Sequence, residues 1–512
     1  MSNSRKKNVI SGFIASAGGS TTLQLVSLFV IPLYLELTSQ ELFGLWLTLG
    51  AILGWIKIGD MGIGLALTKR SIEALESNNY DLLCRLAYGA ILSTLIFGIL
   101  VSGTGYLFTE KLVSVFGISG NLENEFIATY HVLLFVAFIR PGFGVFTSLI
   151  DAKQHIAFSH IKNTIVTLLS IALTILLLFL DFGIVSFAYG LLFEALIMPF
   201  IDIIYLKLID NRICLYPIKT SKKDIFSLLK FGGPFQVLKI ANLVSTSTDN
   251  IIIASILGAS SVTIYVFTGK LAFLFAVFLV GVLPSILFPS VAQLFELDDK
   301  KKIARLYIKL SNLAIRSGLL MGSIYFVINE LFVDLWVGPE NYGGPELTTI
   351  FVIWIILESF IRGITNIIYA SGDLHGLTIV SFFEAVLNII LTLYFIETLG
   401  LLGVVLGTVL SRVATFFYVP LKINKILEID NFKYIKELIV STVFQSMPTL
   451  IVVATMNIYM DKTIDPTIQI IIICGAATLI NIVSYEGLFL IKQKGVKWKD
   501  RVKLLAAHYY SV

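Results

Sequence analysis

The chain has 512 residues, of which 56% are hydrophobic and only 14% charged, with a net charge of +4. Soluble domains carry roughly a quarter charged residues, so a soluble globular protein is excluded, and so small a positive balance is no nucleic-acid signature. The three cysteines, Cys84, Cys214 and Cys474, are too scattered for a disulfide framework or a zinc site.

An apolar run of about 20 residues crosses a bilayer as one helix. The basic segment Met1–Lys7 leads into a run too long for a signal-peptide core, so 9–35 is read as an uncleaved first span. Further spans are predicted at 42–68, 86–108, 126–150, 160–180, 184–208, 233–257, 262–290, 306–332, 346–370, 377–396, 400–426, 435–459 and 466–491, about fourteen in all. Asp181-Phe182-Gly183 and Glu397-Thr398-Leu399-Gly400 break two long runs into paired helices. The fold class is therefore an all-α membrane protein.

Lys and Arg recur in every second connection: at Arg5–Lys7, Lys69–Arg70, Lys153, through 209–232, at Lys300–Lys302, at Lys422–Lys436 and beyond Lys492. The alternate connections, such as Glu36–Glu41, Thr109–Glu125, Gly258–Ser261 and Val333–Glu346, carry few bases and several acids. By the positive-inside rule the basic side is cytoplasmic and both termini lie on it. Ser221–Lys230 is predicted as a short amphipathic helix on the membrane surface.

The chain also reads as a duplication. Phe138-Ile139-Arg140 with Asp151 recurs 222 residues later as Phe360-Ile361-Arg362 with Asp373. Gly183 and Gly190 recur 217 later as Gly400 and Gly407, and Leu37-Thr38-Ser39 corresponds to Leu257-Gly258-Ala259 at 220. The predicted organisation is a six-helix bundle at 1–208, a basic cytoplasmic linker at 209–232, a second bundle at 233–426, and two extra helices with a basic tail at 427–512. Six spans per repeat make the repeats parallel, and transporters so built place substrate at the interface of the halves.

No phosphate-binding loop, metalloprotease motif, CxxC or GxSxG is present, and the five histidines have no ligand spacing, so no enzyme, cofactor or metal is expected. What remains is charge at membrane depth, which normally faces a cavity or a partner. The deep bases are Lys57, Arg140, Lys239, Lys270, Arg316, Arg362 and Arg412; the deep acids are Asp60, Glu194, Asp249, Glu358, Glu384 and Glu486. Arginine grips phosphate in bidentate fashion and lysine acts as a point charge, so the bases suit a phosphate or pyrophosphate. Arg140 and Arg362 lead because the repeat supplies both. The alternative for each is a structural ion pair. Glu358 and Arg362 at i, i+4, and Lys57 and Asp60 at i, i+3, have the spacing to neutralise each other. Arg70, Lys162 and Glu486 sit near span ends, where they can snorkel. Gly403 and Gly407 read as helix packing.

Several motifs then resemble one family. They are Asp60-Met61-Gly62-Ile63-Gly64 with Lys69-Arg70, Lys230-Phe231-Gly232-Gly233-Pro234-Phe235, Asp249-Asn250-Ile251-Ile252-Ile253, Leu257-Gly258 with Tyr265, and Gly403, Gly407 and Ser411. Over nearly its whole length the chain resembles the polysaccharide-biosynthesis flippases, the O-antigen branch of the multidrug/oligosaccharidyl-lipid/polysaccharide exporter superfamily. The resemblance implies transfer of an undecaprenyl-pyrophosphate-linked oligosaccharide across the bacterial inner membrane by alternating access, without ATP. It implies a cationic cavity, a role that falls to Arg140 and Arg362, then to Lys57, Lys239, Lys270, Arg316 and Arg412. It further implies coupling to H+ or Na+ through a carboxylate such as Asp60, Asp249, Glu194 or Glu384, and contact with a glycan polymerase and other assembly proteins. The competing reading within the superfamily is an ion-coupled multidrug or cation antiporter, which would prefer an acidic cavity. A membrane glycosyltransferase or polymerase is disfavoured because the outward loops are short.

Overall fold

Inside a bilayer every backbone polar group must be satisfied within the chain, and the apolar runs achieve this as α-helices. A computed structural model describes residues 3–56, 63–212, 220–276, 291–295, 297–459 and 464–492. In chain order its helices are α1 (Asn3–Leu37), α2 (Gln40–Ile56), α3 (Ile63–Glu76), α4 (Tyr80–Leu107), α5 (Thr109–Val115), α6 (Asn121–Ala152), α7 (Ile156–Phe179), α8 (Val185–Ile209), α9 (Lys222–Leu257), α10 (Ala259–Thr268), α11 (Lys270–Ala276), α12 (Lys300–Val337), α13 (Pro345–Ser371), α14 (His375–Leu399), α15 (Leu401–Leu427), α16 (Asn431–Tyr459) and α17 (Pro466–Lys492). No strand occurs among the described residues. Among the described residues, eight helices are individually long and apolar enough to cross a membrane, and the α10–α11 pair, bent by 53°, makes a ninth if it is one span.

The polarity of these helices is inverted relative to a soluble protein. On α7 the buried stripe is Ser159, Lys162, Val166, Ser170 and Thr174, while Ile161, Ile165, Leu169, Leu176 and Phe179 are exposed. On α14, Glu384, Asn388 and Thr392 are buried and Phe382, Phe383, Ile390 and Tyr394 face outward. In water such a surface would collapse or aggregate; in hydrocarbon it is the stable arrangement, because polar groups find partners only inside the bundle. The chain is an all-α, multi-pass membrane protein.

The helices group into two units, Met1–Phe267 with Thr378–Ser411, and Thr268–Leu377 with Arg412–Val512. These boundaries follow contacts, and differ from the ones drawn above from the repeat. In the first unit α6 packs on α4 and α8, and α7 on α1 and α8. Its core joins Leu67, Leu83, Leu86, Phe146, Leu149 and Leu206. In the second unit α12 packs on α13, α16 and α17 around Tyr307, Phe360, Ile364, Ile368, Val419 and Tyr434.

The predicted breaks are present: Gly183 (φ 61°) separates α7 from α8, and Gly400 (φ 58°) separates α14 from α15. Left-handed backbone at a helix end favours glycine, which has no Cβ to clash. The predicted surface helix at Ser221–Lys230 is corrected. Those residues open a continuous 36-residue helix, α9, which runs on through the predicted seventh span. A capping box starts it: Ser221 Oγ accepts from Asp224 N at 3.1 Å, and Asp224 Oδ2 accepts from Ser221 N at 3.3 Å.

Candidate functional site

Arg140 lies midway along α6, and its Nη2 is 3.6 Å from Glu194 Oε2 on α8. The carboxylate side chain is 7% exposed and the guanidinium-bearing side chain 37%. Arg362, on α13, is paired with Glu358 one turn earlier on the same helix. The other oxygen of Glu358 lies 2.8 Å from Arg412 Nη2, which comes from α15. Glu358 is buried, whereas Arg362 and Arg412 keep 31% and 13% of their side chains exposed. The i, i+4 pairing read from the sequence is therefore present, but Glu358 also draws in a second arginine. In each unit a buried glutamate holds a partly exposed arginine: Glu194 of α8 with Arg140 of α6, and Glu358 of α13 with Arg362 on its own helix and Arg412 of α15. A fixed carboxylate orients a planar guanidinium, a group whose fork of N–H donors suits an anion.

A second cluster lies in the first unit. Asp249 on α9 is buried, and its Oδ2 accepts from Tyr265 Oη at 3.1 Å and Thr408 Oγ1 at 3.2 Å. Asn388 Nδ2 donates to Thr408 Oγ1 at 3.0 Å. Among the described residues, Asp249 Oδ1, Asn388 Oδ1 and Thr392 Oγ1 find no hydrogen-bond partner. Asp249 Oδ1, an unpartnered oxygen of a buried carboxylate, is suited to a proton or a small cation. No cluster of three or more His, Cys, Asp or Glu suited to a metal occurs among the described residues.

The remaining candidates are dispersed. Arg316 is buried on α12, with Nη2 hydrogen-bonded to the backbone and side-chain oxygens of Asn481 on α17. Lys270 is half-buried on α11 and Glu384 buried on α14. Lys57 and Asp60 lie outside the described residues, as do the side chains of Lys239 and Glu486. Arg70 is exposed, 2.9 Å from Glu73. Lys162 is buried, with Nζ 2.6 Å from Asp202 Oδ1 and 3.4 Å from Thr147 Oγ1, and so turns inward rather than outward. Thr147 Oγ1 donates to Asp202 Oδ2 at 2.5 Å. Asp202 is absent from the deep acids read off the sequence. The signal for it was spacing: Lys162 and Asp202 lie at equal distances, twenty residues, from Phe182 at the α7–α8 turn, hence at the same depth.

A family profile described as polysaccharide biosynthesis protein matches residues 37–342. A Salmonella typhimurium protein provisionally named an O-antigen transporter is 23% identical over 415 residues, 77% of this chain and 91% of its own length. A Yersinia pseudotuberculosis protein provisionally named for O-antigen export is 23% identical over 423 residues, 78% of this chain and 92% of its own. Among solved structures, the lipid II flippase MurJ in an inward closed conformation superposes with a TM-score of 0.72 at 14% identity, covering 93% of this chain and 99% of that one. An inward-facing multidrug-resistance transporter of the MATE family gives 0.62 at 17% identity, covering 79% and 98%. At these identities the structural likenesses establish the fold. The family match covers more than half the chain, and the chain belongs to the polysaccharide biosynthesis protein family.

Proposed function

We propose that the protein is a flippase that carries a lipid-linked oligosaccharide, an O-antigen, capsule or exopolysaccharide repeat unit on undecaprenyl pyrophosphate, across the bacterial inner membrane. Fourteen spans, in two parallel six-helix repeats plus two C-terminal helices with both termini cytoplasmic, alternate between inward and outward access. The observation that carries the reading is the family match, joined to partly exposed arginines held on buried glutamates in both repeats. A pyrophosphate needs such donors; a cationic drug would be repelled by them.

In this reading Arg140, Arg362 and Arg412 receive the pyrophosphate, with Lys57, Lys239, Lys270 and Arg316 as further cationic candidates. Asp249 couples transport to a proton or sodium gradient, with Asn388 and Thr408 completing its shell. Asp60, Glu194 and Glu384 are less favoured for that role, Glu194 because it already holds Arg140. Contact with the glycan polymerase would follow from handing over the flipped unit.

The test is genetic and biochemical together. Deleting the gene is expected to accumulate lipid-linked glycan on the cytoplasmic face and to abolish surface polysaccharide. Arg140→Ala and Arg362→Ala, each checked for membrane expression, are expected to fail to restore export. Normal export by both variants would remove the site assignment and leave the fold untouched.

A further inference from the structure

Within the second unit, α13 shows which way its arginine site opens. Glu358, Arg362, Thr365 and Tyr369 are spaced i, i+4, i+7 and i+11, so they share one face of the helix. Glu358 is buried, whereas the Arg362 side chain is 31% exposed and Tyr369 41%. Thr365 lies between these two, buried, with its hydroxyl donating to the Ile361 carbonyl of its own helix. Aromatic side chains on a helix lean toward its N-terminus, which tips the Tyr369 ring back toward Arg362. The Tyr369 hydroxyl lies close enough to Arg362 and Arg412 for both charges to act on it.

This exposure is not that of an interfacial aromatic turned to lipid, the commonest setting for a tyrosine near a span end. Ile353, apolar and exposed, marks the lipid side of α13. It precedes Tyr369 by sixteen residues, which places it about 160° away around the helix. Tyr369 therefore opens on the side of Arg362. It does so nearer the cytoplasm. Just beyond the C-terminal end of α13, Asp373 pairs with Lys422, one of the bases that mark the cytoplasmic face. Seven helical residues set Tyr369 about 10 Å further toward that face than Arg362.

We propose that Tyr369 is a specificity-determining residue that holds the sugar joined directly to the pyrophosphate gripped by Arg362 and Arg412. A sugar ring offers an apolar C–H face to an aromatic ring and hydroxyl groups to a phenol. A cargo lipid that enters from the cytoplasm and sets its phosphates on the arginines leaves its first sugar on the Tyr369 side. The proposal rests on the flippase reading and adds a contact that recognises sugar rather than phosphate.

The test uses the full-length protein in lipid nanodiscs and two probes, undecaprenyl pyrophosphate without a glycan and undecaprenyl pyrophosphate bearing a single hexose. Tyr369→Ala is expected to weaken binding of the hexose-bearing lipid roughly tenfold and to leave the affinity for the sugarless lipid at the wild-type value. Tyr369→Phe keeps the ring and is expected to recover most of the loss. Arg362→Met is expected to weaken both lipids alike. A Tyr369→Ala protein that binds both lipids as wild type does, or weakens both by the same factor, overturns the sugar contact and leaves the flippase reading standing. Should Tyr369→Ala fail to fold, Tyr369→Leu, apolar and ringless, is judged by the same two affinities. Wild-type protein that binds neither lipid removes the flippase reading and this contact with it.

Discussion

Lys162 and Asp202 show what low dielectric demands of single residues. Each is sealed from solvent, and their charges are compensated by each other and by Thr147. Removing one partner strands the other, which typically costs about 3–5 kcal/mol, whereas replacing both by apolar side chains of similar size is often neutral. We predict that Lys162→Met lowers the melting temperature of the purified protein markedly, and that adding Asp202→Leu restores most of it. Asp249 differs because its neighbours are neutral hydroxyls and an amide. Asp249→Asn is nearly isosteric, so it is predicted to leave the melting temperature close to wild type while transport loses its dependence on an imposed ion gradient. Outside the spans, Asp210 is held by Lys153 Nζ at 2.5 Å, Tyr80 Oη at 3.0 Å and Arg212 Nε at 2.9 Å. The Arg212 hydrogen bonds, followed by that of Lys153, hold its carboxyl well below the usual carboxylate range. A depressed folded-state pKa contributes stability above the unfolded value of about 3.9 and loses it as pH falls toward the folded one. The melting-temperature gap between wild type and Asp210→Asn is therefore predicted to be full at neutral pH and to narrow progressively below about pH 4.

Helix hairpins pack through glycine. Gly190 on α8 lies against Ser170 and Thr174 of α7, with Ser170 Oγ donating to the Gly190 carbonyl at 2.8 Å. In the α14–α15 hairpin Gly407 on α15 lies against Thr392 of α14. The obstacles differ in kind. A Cβ at Gly407 meets the backbone N of Thr392 at 2.8 Å, while at Gly190 the nearest atom is a side-chain hydroxyl, with backbone no nearer than 3.2 Å. Overpacking costs about 1–3 kcal/mol, so Gly407→Ala is predicted to destabilise more than Gly190→Ala in matched thermal melts. Much of this level was legible in the sequence. The runs, the turns at Gly183 and Gly400, and the packing role of Gly403 and Gly407 follow from hydropathy and glycine alone. The continuous α9 was not, since the basic stretch before 233 and the apolar run after it read as a linker and a separate span. Pairings across helices were the least legible. Glu358–Arg362 lies on one helix and shows in the spacing, whereas Arg412 and Asp202 reach their partners from elsewhere in the chain.

At the scale of the molecule, the described helices bury polar side chains and expose large apolar ones, as on α7 and α14, so each unit carries polar groups in its interior at membrane depth. Glycine turns, buried ion pairs and capped helix ends set that interior in place. In the proposed flippase Arg140 is anchored on buried Glu194, and Arg362 and Arg412 on buried Glu358, so that each guanidinium is oriented before substrate arrives. Such preorganisation favours an anion already carrying a long glycan and lipid, because less order remains to be imposed on binding. Charge and fold are separable in this design, since an ionic trio can be exchanged for apolar side chains without loss of packing.

The most direct measurement is therefore flipping of a pyrophosphate-linked oligosaccharide lipid in proteoliposomes by the Glu358→Met/Arg362→Met/Arg412→Met variant beside wild type. The account predicts a variant that melts near the wild-type temperature, yet neither binds the pyrophosphate lipid nor moves it. A variant that flips the lipid at the wild-type rate would contradict it.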